Sequence, residues 1–163
     1  MIEHELRRPR SDEEWREFHA IRRKVLFENR GKLEAYDENH PDDAKPGNHP
    51  LVLLYHGTMV GVMRLDVTEK MAWLRRVAIR EDFQRRGHGR ALLQLAEEFA
   101  RAQGCIEIVS NAAVEAVGFY ERCGYERDES ASPPSNSIRV RKIIFSDPQS
   151  NSYLTHRISD QQK

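Results

Sequence analysis

The stretch that most restricts this chain is Gln84-Arg85-Arg86-Gly87-His88-Gly89-Arg90, because of what flanks it. Before it, Met71 to Ile79 reads as a strand. After it, Ala91, Leu92, Leu95, Ala96, Phe99 and Ala100 share one face of a helix that Gln103-Gly104 ends. Glycines between a strand and a helix permit close approach of the backbone to another group. The free N–H groups at the helix start, with the positive end of its dipole, favour an anion by about 0.3–1 kcal/mol per charge. Arg85, Arg86 and Arg90 add side-chain charge, so the pattern suits a pyrophosphate. No Lys-Ser/Thr pair follows the glycines, and Leu92 stands where a dinucleotide fingerprint would carry its third glycine. Two glycines alone are equally compatible with a turn that merely starts a helix.

The rest of the chain supplies an α/β frame for that loop. Ser11 is placed to cap a helix with acidic residues in its first turn, and Trp15, Phe18, Ile21, Val25 and Leu26 recur at helical spacing up to Asn29-Arg30-Gly31. Lys32 to Pro50 reads as a long loop with Leu33 and Tyr36 as anchors. Leu51 to Tyr55, Thr58 to Val67 and Met71 to Ile79 predict an antiparallel meander. Cys105 to Val109 predicts a short buried strand, Ala112 to Cys123 a helix closed by Gly124, and Ser137 to Phe145 a last strand. With 163 residues, one domain over 1–145 and a polar tail over 146–163 are expected.

Two segments in this order carry a resemblance. Val77-Ala78-Ile79, four intervening residues and Gln84-Arg85-Arg86-Gly87-His88-Gly89-Arg90-Ala91 resemble the acetyl-CoA motif Q/R-x-x-G-x-G/A of the GNAT family of N-acetyltransferases. Ala116-Val117-Gly118-Phe119-Tyr120-Glu121-Arg122-Cys123-Gly124-Tyr125 looks like its later A-x-x-F-Y-x-x-x-G-F/Y segment. The resemblance implies the GNAT fold, an α/β architecture with a single mixed, largely antiparallel central sheet flanked by helices. It also implies acetyl-CoA as cosubstrate. The loop from Gln84 through Arg85, Arg86, Gly87, His88 and Gly89 to Arg90 would hold the pyrophosphate, and the backbone of Val77, Ala78 and Ile79 the pantetheine arm. Asn111 is a further candidate for the pantetheine amides, although many members place an Asn at the position of Ala113. The acceptor would be a small-molecule or peptide amine.

By the same resemblance Tyr120 is the acid that protonates the departing thiolate, a sensible role for a phenol with an ordinary pKa near ~10. An isolated Phe-Tyr pair would otherwise be read as packing. An alkylammonium with a pKa near ~10.4 costs about 4–5 kcal/mol to neutralise at pH 7, so a base or water chain is useful. Several members carry a Glu on the strand before Val77, where this chain has Met71-Ala72-Trp73-Leu74. Glu28 and Asp66 are the remaining candidates, each also explicable as a solvated charge. Tyr36-Asp37-Glu38 reads more simply as an exposed acidic loop.

Other classes fare worse. Lys plus Arg equals Asp plus Glu at 26 each, so no overall field draws the chain to nucleic acid or acidic membranes. The arginines are interrupted by acids without alternating aromatics, against nucleic-acid binding. Cys105 and Cys123 have neither disulfide nor zinc spacing and read as packing residues of a reducing cytoplasm, with no metal expected. No apolar run reaches the ~20 residues of a membrane span. A non-catalytic acyl-CoA sensor is the alternative to the enzyme. Dimerisation is frequent in the family, and a last strand with an exposed edge from Ile138 to Phe145 would offer a surface for a homodimer.

Overall fold

The structure is a computed structural model and describes residues 3–145; the tail over 146–163 lies outside the described residues. The chain runs β1 (His4–Arg7), α1 (Asp12–Arg22), β2 (Asn48–Tyr55), β3 (Thr58–Thr68), β4 (Met71–Ile79), α2 (His88–Ala102), β5 (Glu107–Ala113), α3 (Val117–Arg122), β6 (Glu126–Arg127) and β7 (Ser137–Ile143). All seven strands form one sheet in the order β1-β2-β3-β4-β5-β7-β6. Only β4 and β5 are parallel; every other pair is antiparallel. This is the mixed, largely antiparallel sheet that the sequence implied.

The central strands are apolar on both faces because both faces are covered. Leu51 and Leu53 join Met63, Leu65, Leu92, Leu93 and Ala96 in a core under α2 and α3. Val52 and Leu54 point the other way, into a second core with Phe18, Ile21, Val62 and Ala78 under α1. Pro50 is tolerated in β2 because β1 pairs only with Val52 to Tyr55, so its missing N–H leaves no bond to β1 unmade.

Helix α1 starts as its sequence dictates: the Ser11 hydroxyl accepts from the Glu14 N–H at 3.1 Å. It ends sooner than its apolar spacing predicts, because Arg23–Phe27 forms a π-helical turn that re-aims the chain toward the middle of the sheet. The following loop contains 3₁₀ turns at Leu33–Ala35 and Pro41–Ala44. It is tied back to α1 by Arg22, whose guanidinium donates to both Asp43 oxygens at 3.1 and 2.9 Å. Tyr36 packs edge-on to Phe27 and hydrogen-bonds His19.

Several boundaries differ from the sequence reading. β1 was not expected. β5 runs to Ala113, taking residues that helical spacing had given to the next helix, and α3 begins at Val117. β7 is not the sheet edge: it lies between β5 and β6, although β6 covers only Val140 and Arg141.

Candidate active site

The parallel pair creates the site. β4 and β5 pair from Met71 with Glu107 to Leu74 with Ser110, and there the ladder stops although both strands continue. The cause lies in β4, where Arg76 and Val77 together face the single residue Met63 of β3, a bulge in which Arg76 takes a φ of 53°. A bulge bends the strand that carries it, turning β4 away from β5. A non-glycine residue in the left-handed region stores about 1–2 kcal/mol of strain.

A cleft of about 520 Å³ opens where the strands part, lined among others by Arg30, Asp42, Arg64, Asp66, Arg75, Arg76, Val77, Asn111 and Tyr120. Tyr120 reaches it from α3 and is buried. Burial pushes its phenol pKa above the ordinary value, and a hydrogen bond with the Ser110 side chain opposes the rise. The Asn111 carboxamide oxygen accepts from Arg139 Nε at 3.0 Å.

The glycine loop follows directly from β4. Gln84 Nε2 donates to the Ile79 carbonyl at 3.0 Å, so this side chain closes the loop onto the strand end. Arg85 and Gly87 both take left-handed φ values, 62° and 85°, which the turn into α2 requires. The first bond into the helix is from the Ala91 N–H to the Gly87 carbonyl at 3.2 Å. The N–H groups of His88, Gly89 and Arg90 therefore stand at the helix end without acceptors among the described residues. The Arg85, Arg86 and Arg90 side chains are exposed around them. Those features fit an anionic group such as a pyrophosphate. The His88 ring does not belong to that set: it is buried, with Nδ1 2.8 Å from His4 Nε2 on β1. Any contribution of His88 to the loop comes from its backbone.

The two carboxylates considered as bases stand differently. Glu28 is half exposed, pairs with Lys24 at 3.1 Å and does not line the cleft. A base at Glu28 therefore has no support in this geometry. Asp66 lines the cleft, but Arg64 holds both its oxygens, at 2.6 and 2.9 Å. Asp42 also reaches the cleft, and a hydrogen bond from Lys45 holds its pKa below the usual carboxylate value. What sequence reasoning missed is the arginines. Arg30, Arg64, Arg75 and Arg76 converge from α1's extension, β3 and β4, a grouping visible only once these strands are in register. Among the described residues no group of His, Cys, Asp and Glu is arranged to hold a metal ion, and no helix is long and apolar enough to cross a membrane.

A mixed sheet split between two parallel strands, with a glycine loop and helix end beside the split, defines an acyltransferase of the N-acetyltransferase class. The chain belongs to the acetyltransferase (GNAT) family, whose sequence model matches residues 11–125. A candidate acetyltransferase of Bacillus subtilis (strain 168) is 28% identical over 106 residues, 64% of this chain and 71% of the relative. The PaiA N-acetyltransferase of Thermoplasma acidophilum, solved in complex with coenzyme A, superposes with a TM-score of 0.70 at 16% identity over 86% of this chain and 98% of that one. The spermidine N-acetyltransferase of Vibrio cholerae, solved with CoA and spermine, gives a TM-score of 0.65 at 19% identity over 86% and 95%. At these identities the two structures establish the shared fold.

Proposed function

We propose that this protein transfers the acetyl group of acetyl-CoA directly to a primary amine, with Tyr120 as the acid. The observation that carries the reading is the buried Tyr120 lining the cleft where β4 and β5 separate, with the glycine loop and the start of α2 following from the same strand β4.

In this reading the N–H groups from Arg85 to Arg90 and the charges of Arg85, Arg86 and Arg90 hold the pyrophosphate, with Gln84 fixing the loop. Val77, Ala78 and Ile79 offer an unpaired strand edge to the pantetheine amides, and Asn111 lies on the opposite edge. A backbone N–H near Val77 stabilises the oxyanion as the amine attacks the thioester carbon. The C–N bond forms, the C–S bond breaks, and Tyr120 donates a proton to the sulfur. The amine's proton leaves through water and replaces the one that Tyr120 gave, because the Asp66 carboxylate is already held by Arg64. Neither Cys105 nor Cys123 is needed, since no acetyl-enzyme forms; Cys105 is buried, with its thiol pushed up by burial.

Calorimetric titration with acetyl-CoA and CoA tests the cofactor site. Micromolar binding is expected, weakened at least tenfold in an Arg86→Glu, Arg90→Glu double variant. No binding to the intact protein overturns the proposal. Binding without transfer to any amine would favour the sensor.

A further inference from the structure

The cleft has a surplus of positive charge that the transfer chemistry leaves unexplained. Four arginines line the cleft against two aspartates, Asp42 and Asp66. Arg64 is matched with Asp66. Arg75 reaches Asp66 only at 3.9 Å and lies over the Trp73 ring, 4.7 Å from its centroid. Arg76 lies 5.2 Å over Phe27, and neither Arg76 nor Arg30 has a carboxylate within 4.0 Å among the described residues. Behind them Arg22 adds a buried charge, already matched to Asp43. Arg76 is exposed and the Arg75 side chain is 37% exposed, so both guanidiniums are open to the cleft. The two remain cationic at neutral pH.

These arginines are distinct from the phosphate loop. None of residues 84–90 lines this cleft, and Arg76 stands at the inner, bulged end of the β4 segment whose outer end carries the loop. The strained φ of 53° places Arg76 there. Arg76 and Arg30 are open to solvent and, like Arg75, hold no close carboxylate of their own among the described residues, so they are free to bind an anion that enters the cleft, and a planar fork suits a carboxylate. The same field disfavours an incoming polycation and, at short range, disfavours the ammonium form of the acceptor, which helps deliver a neutral amine where the cleft carboxylates Asp42 and Asp66 are already paired with Lys45 and Arg64.

We propose that the acceptor is a small primary amine carrying a carboxylate, which Arg76 and Arg75 bind with Arg30 beside them, and that this cleft rejects polyamines. This rests on the acetyltransferase reading above. It sets the chain apart in acceptor charge from the spermidine enzyme whose fold it shares.

The test is thiol release from acetyl-CoA with a panel of amines at fixed pH: glycine, β-alanine and glutamate as amino carboxylates, glutamyl peptides as larger carriers of the same group, ethanolamine and tyramine as monoamines without a carboxylate, putrescine and spermidine as polycations. Amino carboxylates are expected to exceed polyamines at least tenfold in kcat/KM. Arg76→Asn keeps a residue that tolerates a left-handed φ, and should lower the ratio of glutamate to ethanolamine turnover at least tenfold, through KM. Free amino acids outperforming glutamyl peptides identifies a small-molecule acceptor, and the reverse overturns that part of the proposal. Preference for spermidine, or an unchanged ratio in Arg76→Asn, overturns the whole while leaving acetyl transfer intact. If acetyl-CoA binds but no amine in the panel reacts, titration of glutamate into the CoA complex decides: no binding overturns the proposal. Failure to bind acetyl-CoA falls on the enzyme reading instead.

Discussion

A β-carbon on Gly89 would stand 3.1 Å from Cζ of Phe119, so the second glycine of the loop is what lets α3 pack against the start of α2. The contact is closer than ordinary van der Waals distance, and Phe119 is half-buried against the main core. Gly89→Ala gains helix propensity of up to ~1 kcal/mol but must displace the ring. The expected outcome is a double-mutant coupling of about 1 kcal/mol: destabilising in the native background, neutral or stabilising with Phe119→Ala. Equal effects in both backgrounds, measured by urea denaturation, would refute the packing role.

Arg22 is 4% exposed and depends on Asp43, and its Nε and Nη2 have no hydrogen-bond partner among the described residues. Removing Asp43 strands a buried charge. Asp43→Ala should cost about 3–5 kcal/mol and release the loop from α1, whereas Arg22→Met with Asp43→Leu should be near neutral. Denaturation midpoints of the three proteins check this, and an Asp43→Ala cost under ~1 kcal/mol would contradict it.

Tyr120→Phe should reduce kcat about 10²-fold with little change in acetyl-CoA affinity. Because burial raises the phenol above its usual pKa, it keeps its proton to higher pH than an ordinary tyrosine. The native rate should therefore climb from pH 7 to about 9.5 as the acceptor deprotonates. A descending limb inside that window would assign the acid to another group.

The His4 pKa is lowered first by burial and then by His88; His19 and His49 are lowered first by burial as well. At moderately acid pH the unfolded chain then binds more protons than the folded one. Stability should be complete above the ordinary histidine value near ~6.5 and fall as the pH drops below it. Urea midpoints between pH 5 and 7.5 measure this; His4→Gln should flatten the slope in part. A midpoint constant over that range would count against the shifts.

The fold was legible wherever one residue pattern had one physical meaning. Met71–Ile79 alternates and is bounded by turns, and α2 carries a complete apolar face, so both elements match the sequence reading closely. The boundary between β5 and α3 was misplaced, because Ala112 to Val114 offers small and β-branched residues that fit either structure, and pairing of Ala112 and Ala113 with β7 decided for the strand. β1 is four residues with one aliphatic side chain, too short for any periodic signal. The glycine loop lies between β4 and α2, and Tyr120 on the helix after β5, where their motifs placed them. Glu28 and Asp66 were not resolved as bases, since a carboxylate's partner comes from elsewhere in the chain. The left-handed Arg76 had no sequence signal at all: arginine is no marker for that backbone conformation.

The early end of the β4–β5 ladder has a mechanical meaning. Four residue pairs, Met71 with Glu107 through Leu74 with Ser110, are the only sheet pairing between the β1–β4 leaf and the β5–β7 leaf among the described residues. The molecule resembles a book with a short spine. A ligand that bonded both open edges would act as a rivet across the leaves, making amides at Val77–Ile79 and Asn111–Ala113 exchange far more slowly and raising the temperature at which the two leaves come apart.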